Sequence, residues 1–145
     1  MTRMRVLARR CEVLVCTLVL VWTISGAYAD TGLFIAPICN VTEFSGLTTD
    51  CAQIISYLQF LGNADCCVHE HPSVNGCTTM NAFGTCRARI CALPFVPLPR
   101  CQPCGVVAEY VRNLANLCAE PILGESRSGG FQVIKEDTAM FIVLY

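Results

Sequence analysis

The sequence predicts a small disulfide-rich α+β domain: a ferredoxin-like βαββαβ two-layer sandwich with an antiparallel sheet and both helices on one face. Three observations carry this expectation. Twelve cysteines stand in 145 residues, a density that marks a disulfide scaffold in an exported chain. Two segments place apolar residues at i, i+3, i+4 and i+7, the spacing of a helix with one buried face. Between and after them lie short alternating or apolar stretches bounded by Gly, Asn and Pro, as strands are.

The first 29 residues have the grammar of a secretory signal peptide. Arg3, Arg5, Arg9 and Arg10 form a basic start, and Val13 to Trp22 is an apolar run interrupted only by Thr17. Ala27-Tyr28-Ala29 then supplies the small residues that fit a signal peptidase. The apolar run is about half of the roughly 20 residues needed to span a bilayer. The expected organisation is therefore a signal peptide over 1–29 and a single cysteine-rich domain over 30–145. Without the leader, ten cysteines remain, and six basic residues face ten acidic ones. A net charge of −4 on that portion argues against a nucleic-acid partner and against a polybasic membrane-attracted peptide.

The ten are Cys39, Cys51, Cys66, Cys67, Cys77, Cys86, Cys91, Cys101, Cys104 and Cys118. An even number in an oxidising compartment implies five bridges. Their connectivity is open, because ten cysteines allow about 945 pairings. Each bridge contributes some 2–4 kcal/mol, mainly by restricting the unfolded chain.

Taken in order, Leu33 to Ile38 is an apolar first strand, followed by the N-glycosylation acceptor Asn40-Val41-Thr42. Thr49 or Asp50 caps a helix over 51–61, with Cys51, Ile54, Ile55 and Leu58 on one face and Gly62-Asn63 as its stop. A loop then carries Cys66-Cys67 and His69-Glu70-His71. Gly76 to Met80 and Thr85 to Leu93 form a hairpin about Asn81-Ala82-Phe83-Gly84. In its second arm Cys86, Ala88 and Ile90 fall on one face, and Arg87 and Arg89 on the other. Pro94, Pro97 and Pro99 impose an extended connector. A second helix follows over 104–119, with Pro103 near its first turn. Cys104 and Cys118 share a face of that helix but lie about 21 Å apart along its axis, so each must staple it to a different element. Gly124 to Gly130 is expected as a loop. Two apolar arms then surround Glu136-Asp137-Thr138, and the last, Ala139 to Tyr145, has the continuous apolar run of a strand buried on both faces.

Sites of chemistry are few. Cys101-Gln102-Pro103-Cys104 at a helix start is the pattern that lowers a thiol pKa in disulfide oxidoreductases, but eight further cysteines favour structural bridges. Structural zinc needs paired Cys-x-x-Cys knuckles, and only one is present. His69 and His71 are ligand types without a set around them. No nucleophile-elbow or metalloprotease motif occurs, so neither enzymatic activity nor a cofactor is expected. The candidate partner-binding residues are Arg87 and Arg89, which suit an anionic group, and Phe83 at the hairpin tip, an aromatic anchor.

Cys66-Cys67, then Cys77-Thr78-Thr79 with Gly84-Thr85-Cys86-Arg87, the helix Val107 to Cys118, and the closing strand Phe131-Gln132-Val133-Ile134 resemble small secreted cysteine-rich fungal proteins. These are the killer-toxin-like and effector-like α/β sandwich group. The resemblance implies an extracellular interaction protein that acts on a host or competitor, and it carries over no catalytic residues. The sequence thus points to a secreted, non-enzymatic domain that binds an extracellular protein or cell-surface component and carries no stable membrane anchor. The competing readings are a thiol–disulfide oxidoreductase using Cys101 and Cys104, and a small lipid-binding carrier.

Overall fold

The computed structural model describes residues 35–69 and 76–145. The signal-peptide segment, Glu70, His71 and the first two residues of the expected first strand lie outside the described residues, and of the remainder of that strand only Ile38 is in β1. The order is β1 (Ile38–Cys39), β2 (Gly46–Leu47), α1 (Thr48–Leu61), β3 (Asp65–Val68), β4 (Cys77–Phe83), β5 (Cys86–Ala92) and β6 (Arg100–Pro103). Then come α2 (Cys104–Leu117), β7 (Ala119–Ile122), β8 (Glu125–Ser128), β9 (Gly130–Val133) and β10 (Met140–Leu144).

The α+β class holds, with two helices and antiparallel sheets, but the ferredoxin-like order does not describe the strands. Among the described residues there are three sheets: a main one in the order β1-β9-β10-β5-β4, a small one β2-β8-β7, and a ribbon β3-β6. All their pairings are antiparallel. The extra strands arise where the sequence suggests loops. Cys66-Cys67 lies in β3 because Cys67 faces Cys101 across the ribbon and bonds to it, while Cys66 bonds to Cys104. The Gly124–Gly130 stretch contains β8, which turns back on β7 through Leu123-Gly124. Both turn residues have positive φ, 54° and 82°, the conformation that matches the twist of a two-residue hairpin.

Helix α1 starts earlier than expected, at Thr48. Its N-cap is Leu47, with no side-chain cap, so neither Thr49 nor Asp50 has that role. Asp50 is used instead to hold the β4–β5 turn: one carboxylate oxygen accepts from the Thr85 backbone N–H at 2.7 Å and its hydroxyl at 2.8 Å. Those two donors hold the Asp50 carboxyl below its usual pKa. Gly84 is required at this turn, because its φ is +51° and a Cβ there would sit 2.3 Å from the Asp50 carboxylate. Gly62 ends α1, its N–H donating to the carbonyls of Leu58 and Gln59. The carbonyls of Gly62 and Ala64 in turn accept from the N–H groups of Gly105 and Cys104 at 2.7 and 2.8 Å. The end of one helix thus satisfies donors that the start of the next would otherwise leave bare.

Both helices pack on the same face of the main sheet, α1 over β4 and β5, and α2 over β9 and β10. The core between the layers is formed by Ile54, Leu58, Val107, Val111 and Leu114 from the helices and Ile90, Met140, Ile142 and Leu144 from the sheet, all buried. Tyr110 of α2 reaches the β9–β10 connection, where its hydroxyl donates to Glu136 and accepts from the Lys135 N–H, each at 2.8 Å. Burial chiefly, and then the Glu136 carboxylate, push its pKa up, against the Lys135 N–H.

The remaining bridges tie these layers together. Cys51–Cys86 joins α1 to β5, Cys39–Cys118 joins β1 to the end of α2, and Cys77–Cys91 crosses β4 and β5. Cys104 and Cys118 staple the two ends of α2 to different elements, as their separation along the helix requires.

Candidate functional site: the outer face of the main sheet

One face of the main sheet carries the helices, and among the described residues the other carries none. Alternation along β10 decides this: Met140, Ile142 and Leu144 are buried, while Phe141 and Val143 between them are only half-buried. The expectation of a last strand covered on both faces is therefore corrected. Its outward side chains are apolar, and no helix or strand among the described residues covers them.

Register builds the outer face in rows, since residues directly opposite in an antiparallel pair share a face. Phe131 stands between Ile38 of β1 and Val143 of β10, and Val143 faces Arg89 of β5, which faces Thr79 of β4. One row along, Val133, Phe141, Cys91 and Cys77 line up, the last two as a disulfide. On the other side, Tyr145 exchanges backbone hydrogen bonds with Arg87. Gly130 lets β1 approach: its φ is +147°, and a Cβ there would fall 2.3 Å from the Ile38 carbonyl oxygen.

The β1-β9-β10 half of the face is therefore apolar, and the β5-β4 half is cationic and polar. The apolar half holds an open groove of about 400 Å³, lined by Phe131, Val133, Phe141, Val143, Leu93 and Tyr145, with Asn40 at its rim. The Phe131 and Phe141 rings meet edge to face, with centroids 6.2 Å apart, a favoured geometry for aromatic pairs.

The electrostatics are one-sided. The five strands of the sheet contain Arg87 and Arg89 and no Asp or Glu. Three other arginines have partners: Arg100 with Asp137 at 2.8 Å, Arg127 with Glu125 at 2.6 Å, and Arg112 with Glu109. Among the described residues neither Arg87 nor Arg89 makes a salt bridge. The Nε of Arg89 is shielded from solvent and has no hydrogen-bond partner, an arrangement that costs free energy.

The structure brings Arg87 and Arg89 together on this face but leaves Phe83 apart. Phe83 is half exposed and opposite Cys86, whose side chain points towards the helices. Asn40 is exposed beside β1, its N–H donating to the Gly129 carbonyl, so a glycan there would stand at the rim of the groove. Cys101 and Cys104 are bonded to Cys67 and Cys66 rather than to each other, which removes the dithiol that a redox role would need. All ten cysteines expected to pair do so, and the thiolates of a zinc site are thereby consumed. No group of three or more His, Cys, Asp or Glu among the described residues is placed to hold a metal. No helix among them is long and apolar enough to cross a membrane.

Ile38, Phe131, Val133, Phe141 and Val143 are site residues that the sequence pattern did not single out. Their signal is the last strand, in which both faces are apolar although only one can meet the helices, and β9, in which Phe131 and Val133 alternate with the buried Gly130 and Gln132. In comparisons of sequence, the chain matches no protein-family model and no curated protein.

Proposed function

We propose that this chain is a secreted, non-enzymatic interaction protein whose outer sheet face recognises an extracellular partner, in the effector- or toxin-like manner that its resemblance to killer-toxin-like fungal proteins implies. One observation carries the reading: among the described residues, an uncovered apolar groove lies beside two arginines without a salt bridge, on a sheet whose five strands contain no Asp or Glu. Uncovered contiguous apolar surface is expensive to keep in a soluble protein and marks interaction sites. A cationic border adds orientation and selects against like-charged partners. Five disulfides suit such a molecule, because a domain that must present apolar surface needs stability from elsewhere and must survive extracellular proteases. The signal-peptide pattern over 1–29 supplies the route out of the cell.

The test is retention of labelled protein on intact plant and fungal cells. Three forms are compared: the unaltered protein, a Phe131→Glu/Val143→Glu variant, and a Phe60→Glu control on the exposed side of α1. The reading expects the outer-face variant to lose retention and the control to keep it. Equal retention of all three forms overturns it.

A further inference from the structure

We propose that the outer-face groove binds a long-chain fatty acid, with its alkyl chain along β9 and β10 and its carboxylate on Arg89. This rests on the outer face being the recognition surface, and it names the chemistry of what is recognised.

Polarity changes along a single line of the outer face. Val143 lies directly opposite Arg89, Phe141 one pair further on, and Leu93 beyond, its N–H held by the Ala139 carbonyl at 2.8 Å. Starting at Arg89, the surface is cationic first and then apolar throughout. From Arg89, where the carboxylate is placed, to Leu93 just past the end of β5 is four residue steps, about 14 Å at roughly 3.4 Å each. The groove volume of about 400 Å³ lies in the range of small-molecule sites, about 300–1,000 Å³. A ligand that fits must be long, slender, apolar along its length and anionic at one end.

A peptide fits this surface less well. Its backbone N–H and C=O groups would be pressed against Phe, Val and Leu side chains that offer no hydrogen bond, and burying such groups unsatisfied is costly. Nor can it pair as an added strand within the groove, because β9 and β10 already have partners on both sides. An alkyl chain has no such groups to desolvate. A carboxylate supplies what Arg89 lacks among the described residues, a planar acceptor for a guanidinium that makes no salt bridge. Arg87, two residues along on the same face, adds a second positive charge. Lys135 is a further exposed cation two residues past Val133, so exchanging it tests the direction in which the ligand lies.

The experiment titrates the oxidised, secreted protein with the fluorescent fatty acid cis-parinaric acid, then displaces the probe with palmitate, hexadecanol or acetate. Saturable binding is expected, with palmitate displacing the probe, hexadecanol doing so more weakly, and acetate not at all. Arg89→Gln should weaken binding by about tenfold or more, the usual effect of losing a charged hydrogen bond. Val143→Asp should abolish binding, while Lys135→Gln and Arg112→Gln leave it unchanged. Far-UV circular dichroism and the disulfide map establish that each variant is folded. Absence of saturable binding, or full-strength binding by folded Arg89→Gln or Val143→Asp, overturns the proposal. If the fatty acid fails to bind while the outer-face variant still loses retention on cells, the ligand class is wrong and the recognition surface stands. If neither assay responds to outer-face substitutions, both readings fall.

Discussion

Ile142 and Val143 are adjacent in β10 and face opposite ways, so truncating each in turn measures how well each side of the sheet is covered. Ile142 is fully buried, opposite Ile90 and Gln132 in register. Ile142→Ala removes three carbons, about 2.4 kcal/mol at roughly 0.8 kcal/mol per buried methylene. The enclosed cavity left behind raises the cost to about 3–4 kcal/mol, within the range for such truncations. Val143→Ala removes two carbons that are half-buried, and the groove is open, so no enclosed cavity forms. The expected cost is about 1 kcal/mol, including the weaker strand preference of Ala. Urea unfolding with the disulfides intact reads both values, and an unchanged m-value confirms that the same transition is being followed. A cost for Val143→Ala of 2 kcal/mol or more, approaching that of Ile142→Ala, would refute the reasoning, because it would mean that the outer face is packed.

Other substitutions probe the devices that hold this face in shape. Leu123→Asn should stabilise the domain by about 1 kcal/mol, because Asn tolerates the left-handed backbone that Leu is forced into at φ 54°; a thermal melt checks this. Tyr110→Phe should cost about 1–3 kcal/mol by leaving the Lys135 N–H and the Glu136 carboxylate without their partner, and denaturant unfolding at pH 7 reads it. Asp50 has a folded pKa below its unfolded value, so its contribution is present above the unfolded pKa near 4 and is lost as pH falls through the folded one. Asp50→Asn should therefore lower the melting temperature at pH 7 and reduce the difference between the pH 7 and pH 2 melts.

Much of this arrangement was legible in the residues. The helices follow from the spacing of Ile54, Ile55 and Leu58 and of Val107, Val111 and Leu114. The two faces of β5 follow from the alternation of Cys86, Ala88 and Ile90 with Arg87 and Arg89. What escaped depends on long-range geometry. The β3-β6 ribbon exists because Cys66 and Cys67 find partners more than thirty residues away, and no local propensity encodes that pairing. The N-terminus of α1 was misplaced because Asp50 has the chemistry of a cap, whereas the structure spends its carboxylate on Thr85 of a distant turn. The outer face escaped for a related reason. An apolar run such as Met140–Leu144 has the same composition whether a second layer covers it or not, and only the placement of both helices on one side distinguishes the two.

The most direct test of the account is solvent access to valine methyl groups, measured by NMR on the secreted protein with a soluble nitroxide. The account predicts strong paramagnetic broadening of the Val133 and Val143 methyls on the outer face and little at Val107 and Val111 beneath the helices. Val143 methyls as protected as those of Val107 would contradict it, since the face proposed for recognition would then already be covered by the protein itself.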